Sequence, residues 1–198
     1  MKQPRKILIG SNNAHKLKEI QEILDAFEFV TPASLGLDLD IDESGMTFAE
    51  NAEIKARAFA QASGLPTLAD DSGLMVEALD GAPGVHSHRY SPKPDATDAD
   101  RRAFLLENLK SSARPWKAKF VCAAVYYDPA TEKLLHASGE CAGEILPEER
   151  GSGGFGYDPV FFFPQLGKTL AELSEDEKNA ISHRGNAMRK MRIELESE

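Results

Sequence analysis

Two β-rich runs, Lys117 to Tyr127 and Leu134 to Leu146, flank Asp128-Pro129-Ala130-Thr131, and this pairing restricts the fold more than any other feature. Proline and aspartate in so short a connection predict a turn, so the runs form a hairpin, whose strands are antiparallel. The N-terminal pattern differs. Lys6 to Gly10 reads as a short buried strand and Ser11-Asn12-Asn13-Ala14-His15-Lys16 as a polar loop. Leu17, Ile20, Leu24 and Phe27 then recur at helical spacing. Thr47-Phe48-Ala49-Glu50 has the form of a capping box, opening a helix to about Ala62. Thr67-Leu68-Ala69 predicts a short strand that ends at Asp70-Asp71-Ser72-Gly73. A helix is predicted over Asp98 to Lys110 and a buried strand over Val160 to Phe163. Ser174-Glu175-Asp176-Glu177 is a second capping box, with helical pattern to the C-terminus. Strands and helices mix without strict alternation, which predicts an α/β fold with a mixed sheet and flanking helices.

The 198 residues suit one large domain or a two-lobed single domain. A formal net charge of −9 argues against sequence-independent binding to duplex nucleic acid, which requires clustered Lys and Arg. The lead Met1-Lys2-Gln3-Pro4-Arg5-Lys6 and the short run Ile7-Leu8-Ile9 are far from the length of a signal peptide or a membrane span. A cytoplasmic protein with no membrane partner is the expectation. Cys122 and Cys141 lie in apolar, strand-like surroundings and read as buried free thiols.

Four groups of residues carry chemistry. Ser11 to Lys16 places a hydroxyl, two carboxamides and an ammonium at a predicted helix start, an arrangement suited to phosphate oxygens, although the local pattern by itself favours an ordinary capped helix with an exposed lysine. The acids Asp42, Glu43, Asp70 and Asp71 form a second group. Two adjacent aspartates after an apolar strand are costly to bury without a cation, and Mg²⁺ takes a few carboxylates together with phosphate oxygens and water. The competing reading is a solvated Asp-Asp-Ser-Gly turn. The third group is Ser152 to Pro159, where glycines, Phe155, Tyr157 and Asp158 suggest a slot for a flat heterocycle. The fourth is basic: Lys55, Arg89, Lys178, His183 and Arg184. Lys55, alone on a helix, reads as a solvated face. Ser182-His183-Arg184-Gly185 reads as a loop offering donors to the same ring.

Taken in order, these segments resemble the inosine/xanthosine triphosphate pyrophosphatase family. The resemblance rests on Ser11 to Lys16, Glu43 to Ala52, Ala69 to Leu74, Gly81 to Val85, Gly154 to Pro159 and Glu177 to Arg184. It implies a long curved mixed sheet with flanking helices and two lobes around a central cleft, formed by residues 1–198 as one domain. It also implies a homodimer that uses Mg²⁺ to hydrolyse deaminated purine nucleoside triphosphates to the monophosphate and pyrophosphate. By position, Asp71 matches the general base and a metal ligand, and Glu43 a further metal ligand. Ser11, Asn12, Asn13, Ala14, His15 and Lys16 match the phosphate loop, and Ser72 a substrate contact. Phe155, Gly156, Tyr157, Asp158, Lys178, His183 and Arg184 match the base-recognition set. The chain departs from the family in carrying Ser11-Asn12-Asn13 for Thr-Gly-Asn and Ser87-His88-Arg89-Tyr90 for Ser-Ala-Arg-Tyr. The alternatives are a pyrophosphatase for modified pyrimidine nucleotides and a module that senses nucleotides without cleaving them.

Overall fold

The computed structural model describes residues 6–197. The basic lead of residues 1–5 lies outside the described residues, as does Glu198. Strand β1 (Lys6–Ile9) pairs in parallel with β2 (Glu28–Val30) and with β3 (Thr67–Val76). β4 (Trp116–Asp128) and β5 (Lys133–Ile145) are neighbours. β5 pairs antiparallel with β6 (Phe161–Phe163), and β6 with β7 (Lys168–Thr169). The result is one mixed sheet in the order β2-β1-β3-β4-β5-β6-β7. The expected hairpin is β4–β5. Its turn is set by Asp128, whose Oδ1 accepts a hydrogen bond from the Ala130 N–H at 2.9 Å.

Helix α1 (Ala14–Ile23) is shorter than the spacing of Leu17 to Phe27 suggested, because it ends at a Leu24 cap. Phe27 lies beyond the helix and packs beside Phe29, with ring centroids 6.3 Å apart. Helix α2 (Phe48–Ser63) starts at the Thr47 capping box and stops at Gly64, which adopts φ +72°. Helix α3 (Asp98–Leu109) starts at a Thr97–Asp100 capping box. Helix α4 (Glu175–Ile181) starts at the Ser174–Glu177 box, and α5 (His183–Glu196) follows immediately. Each such cap contributes about 1 kcal/mol.

Contacts divide the chain into two units. The first contains residues up to Asp71, Cys122–Gly139 and His183 onward. Its strands are apolar on both faces. Leu68, Cys122, Ala124 and Tyr126 pack with Ile20 and Leu24 of α1 and with Ala187, Met188 and Met191 of α5. Ala69, Ala123, Val125 and Tyr127 point the other way and pack on Ala52, Ala56 and Ala60 of α2. This is the period-two alternation of a strand covered by helices on both sides. The second unit contains Ser72–Val121 and Glu140–Ser182. Its core gathers Leu74, Val76, Leu105, Leu109, Trp116, Phe120, Tyr157 and Phe161. No helix among the described residues is long and apolar enough to cross a membrane.

Candidate active site

Asp70 and Asp71 are not a turn at a strand end. They lie in the middle of β3, both buried, with the strand running on to Val76. The strand can continue through them because each acid meets cations on its own face of the sheet. Ala69 and Asp71 face α2, while Leu68 and Asp70 face α1 and α5.

On the α2 face, Asn51 and Lys55 are one helical turn apart and both turn inward. Lys55 is 9% exposed and therefore not the solvated lysine expected. Its Nζ lies 3.1 Å from Asp71 Oδ1 and 3.1 Å from Glu43 Oε2. Asn51 donates from Nδ2 to Asp71 Oδ2 at 3.4 Å and accepts the Gly45 N–H at 2.8 Å. The loop that carries Glu43 is thereby tied to the helix that faces Asp71. Glu50 strengthens the tie by accepting the Met46 and Thr47 amides at 2.7 and 2.9 Å. Burial raises the Asp71 pKa by more than the Lys55 and Lys16 charges lower it. Burial lowers the Lys55 pKa, but Asp71, Asp70 and Glu43 together raise it further. Asp42, the remaining acid of the expected cluster, is exposed.

On the opposite face, Asp70 is fully sequestered. Its Oδ2 lies 3.2 Å from Lys16 Nζ and accepts hydrogen bonds from Arg184 Nε and Nη2 at 3.2 and 3.0 Å. Burial raises its pKa, yet the Lys16, Arg184 and Lys55 charges outweigh that and hold the carboxyl well below the usual range. Oδ1 of Asp70 is buried with no hydrogen-bond partner among the described residues. Arg184 Nη1 also donates to Glu19 at 2.5 Å. His183 and Arg184 are therefore not in a loop. They form the first turn of α5, 5% and 1% exposed, and only Ser182 separates that helix from α4. Gly139 of β5 permits this seating, since a Cβ there would fall 2.2 Å from the His183 carbonyl oxygen.

The Ser11 to Lys16 segment forms a capped helix start. Asn13 caps α1, and its Oδ1 accepts the His15 and Lys16 amides at 3.0 and 3.2 Å. Those two N–H groups are directed at the cap, so the charge this segment offers an anion comes from Lys16. Ser11 Oγ accepts the Asn13 N–H at 3.2 Å. Ser11 and Asn12 also line a cavity of about 450 Å³ with Leu17, Thr31, Pro32 and Asp38.

The second unit holds the aromatic–glycine segment by itself. Phe155 is half-buried, and Tyr157 and Asp158 are buried. Asp158 Oδ2 accepts from the Phe155 N–H at 2.9 Å and from Lys178 Nζ at 2.6 Å. The Lys178 ammonium lies 4.6 Å from the Phe155 ring centroid, within cation–π range. The Phe155 amide and the buried Lys178 ammonium thus share one carboxylate. Ser72 lies partly buried in β3, immediately after Asp71. Gly154 has φ +68°, and a Cβ on it would stand 2.1 Å from Asp158 Oδ2. Gly154→Ala is therefore expected to break the Phe155–Asp158–Lys178 arrangement and to cost about 1–3 kcal/mol. A urea midpoint equal to wild type would show that the segment does not need this turn.

No cluster of three or more His, Cys, Asp or Glu side chains that could hold a metal ion is formed among the described residues. Glu43 and Asp71 nevertheless direct carboxylate oxygens at one point, now marked by the Lys55 ammonium. Two hard oxygen donors fit Mg²⁺ when phosphate oxygens and water complete the shell. Lys55 and Asn51 are the residues that sequence reasoning underrated. The available signal was position: Lys55 falls on the same stripe as Ala52, Ala56 and Phe59, where an unpaired charge could not be buried.

Comparison with known proteins gives a consistent picture. The family model described as Ham1 family matches residues 7–194. A Shigella flexneri protein named dITP/XTP pyrophosphatase is 47% identical over 189 residues, covering 93% of this chain and 95% of its own. The structure of a HAM1 protein from Coxiella burnetii superposes with a TM-score of 0.89 at 43% identity, over 98% of this chain and 100% of that one. The Staphylococcus aureus Ham1 protein gives a TM-score of 0.86 at 38% identity, over 98% and 99%.

Proposed function

The chain belongs to the Ham1 family, and from that premise we propose that it is a pyrophosphatase for deaminated purine nucleoside triphosphates. It hydrolyses ITP, dITP or XTP to the monophosphate and pyrophosphate, removing faulty nucleotides from the pool. The observation that carries the reading is the convergence of Glu43 and Asp71 on Lys55, a site of paired acid and fixed cation inside one unit.

Glu43 and Asp71 are the residues that would hold Mg²⁺, which supplies charge neutralisation for the departing pyrophosphate. Asp71 orients the attacking water and accepts its proton, with Asn51 fixing the carboxylate. Positioning matters as much as basicity, since the water must approach roughly in line with the bond that breaks. Lys16, steered by Asp70, offers its ammonium to phosphate oxygens. On the strength of the resemblance, Ser11 to His15 complete the phosphate contacts and Ser72 is a further substrate contact.

Base choice follows hydrogen-bond polarity. Hypoxanthine and xanthine carry a carbonyl at C6, where adenine carries an amino group. Lys178 donates and cannot accept, so it suits the carbonyl and opposes the amine. Phe155 offers its face for stacking, supported by Gly156, Tyr157 and Asp158. His183 and Arg184 belong to this set by resemblance. A homodimer in the cytoplasm is part of the same proposal, and light scattering of the purified chain reads its assembly.

Turnover over a panel of nucleoside triphosphates, with Mg²⁺ and with chelator, tests the reading through pyrophosphate release. Inosine and xanthosine triphosphates are expected to exceed adenosine triphosphate by at least about 100-fold in kcat/KM. Preference for a modified pyrimidine, or binding without cleavage, would select one of the two rival functions instead.

A further inference from the structure

Helix α3 carries no residue of the base-recognition set, yet two of its side chains grip the centre of that segment. Asp98 Oδ2 accepts the Gly156 N–H at 2.8 Å. Arg102 Nη1 donates to the Gly156 carbonyl at 2.7 Å. The two residues are four apart on one helix and so face the same side. They hold the peptide groups before and after Gly156, and with them its φ of +61°. Space does not dictate that conformation, because a Cβ on Gly156 would meet nothing within 4 Å. The hydrogen bonds and the intrinsic freedom of glycine define it.

Both gripping side chains are themselves held. Asp98 Oδ1 accepts from Arg101 Nη2 at 2.6 Å, and Arg101 Nη1 is anchored on the Ala96 and His88 carbonyls at 2.6 and 3.1 Å. Arg102 presents a fork to Glu149, with Nε to Oε1 at 2.8 Å and Nη2 to Oε2 at 3.0 Å. Tyr157 donates its hydroxyl to the Ser87 carbonyl at 2.8 Å, fixing the residue next to Gly156. Burial raises the Asp98 pKa, but the Arg101 hydrogen bond and the Gly156 amide outweigh it and keep the carboxyl below its ordinary value.

We propose that Asp98 and Arg102 are positioning residues for purine recognition: a clamp from α3 that sets the backbone at Gly156 and so aims the Phe155 ring and the Asp158 carboxylate. The inference rests on the assignment of Phe155 to Asp158 and Lys178 to base reading. Its consequence is specific. Loosening the clamp removes no group that would touch the nucleotide but lets the aromatic segment wander, so binding of the base weakens while contacts to the phosphates do not change.

The test compares wild type with Asp98→Ala, Arg102→Ala and the conservative Asp98→Asn, which keeps an acceptor oxygen. In the alanine variants, KM for inosine triphosphate should rise about ten-fold with kcat within about three-fold of wild type. Inhibition by inorganic triphosphate, a probe without a base, should change less than about two-fold. The Gly156 amide should exchange with solvent at least about ten-fold faster by NMR. Asp98→Asn should recover most of each effect. Unaltered Gly156 exchange would dismiss the clamp, and faster exchange with unaltered KM would dismiss its role in base reading. A fall in kcat at constant KM would mark plain loss of folded protein and also overturn the inference. Wild-type protein that turns over no purine triphosphate would remove the base-reading assignment, and this inference with it, before any variant is compared.

Discussion

Arg184→Ala is expected to lower stability by about 3–5 kcal/mol, read as a large drop in the urea midpoint. Arg184 is 1% exposed, and its guanidinium joins Asp70 of β3 to Glu19 of α1 from the first turn of α5. Truncation leaves Asp70 buried with Lys16 as its adjacent cation and removes a large side chain from a packed site. The cost is mostly that of the stranded carboxylate, so adding Asp70→Asn to the alanine variant should restore part of the loss. Base reading alone, the role the resemblance assigns, would change KM and spare the midpoint. A midpoint within experimental error of wild type would therefore remove Arg184 as a structural tie.

Asp71→Asn should reduce turnover of inosine triphosphate about 10³-fold while leaving the fold intact. Asparagine keeps the shape of the side chain and its hydrogen-bonding reach towards Asn51 and Lys55, but it has no charge to offer a cation and is a poor proton acceptor. Lys55 remains paired with Glu43, which limits the structural disturbance. Because the proposal places Asp71 at the reacting centre and not at the base, the loss should appear in kcat and be similar for inosine and xanthosine triphosphates. Activity within about two-fold of wild type would exclude Asp71 from the chemistry altogether.

What could be read from the sequence was what local chemistry determines. The capping boxes at Thr47 and Ser174 announce α2 and α4 because donor and acceptor lie within one turn. The β4–β5 hairpin was legible for a similar reason, since Asp128 bonds within its own turn. The acids of β3 were misread because nothing nearby in sequence explains why charged residues should continue a strand. The explanation lies with Lys16, Lys55 and Arg184, delivered from three different helices. Lys55 was underrated for the same reason: its partners are in a loop and in a strand remote along the chain. His183 and Arg184 fell at a break between helical patterns that looked long enough for a loop, but α5 begins at once. Gly139 makes that abrupt start possible, and its contact with α5 has no local signature. The hold of Asp98 and Arg102 on Gly156 is invisible in sequence, because it depends on how α3 packs within its own unit.

The alternation along β3 makes the chain intolerant of length changes there. Inserting or deleting one residue just before Asp70 would exchange the two acids between faces, turning the catalytic candidate towards Arg184 and the structural one towards Lys55. The helices supplying the cations pack on opposite faces of the strand, so the shifted acids would meet the wrong partners. The tripeptide Ala69-Asp70-Asp71 thus behaves as a ruler whose graduation, more than its composition, keeps two unlike electrostatic tasks from being confused.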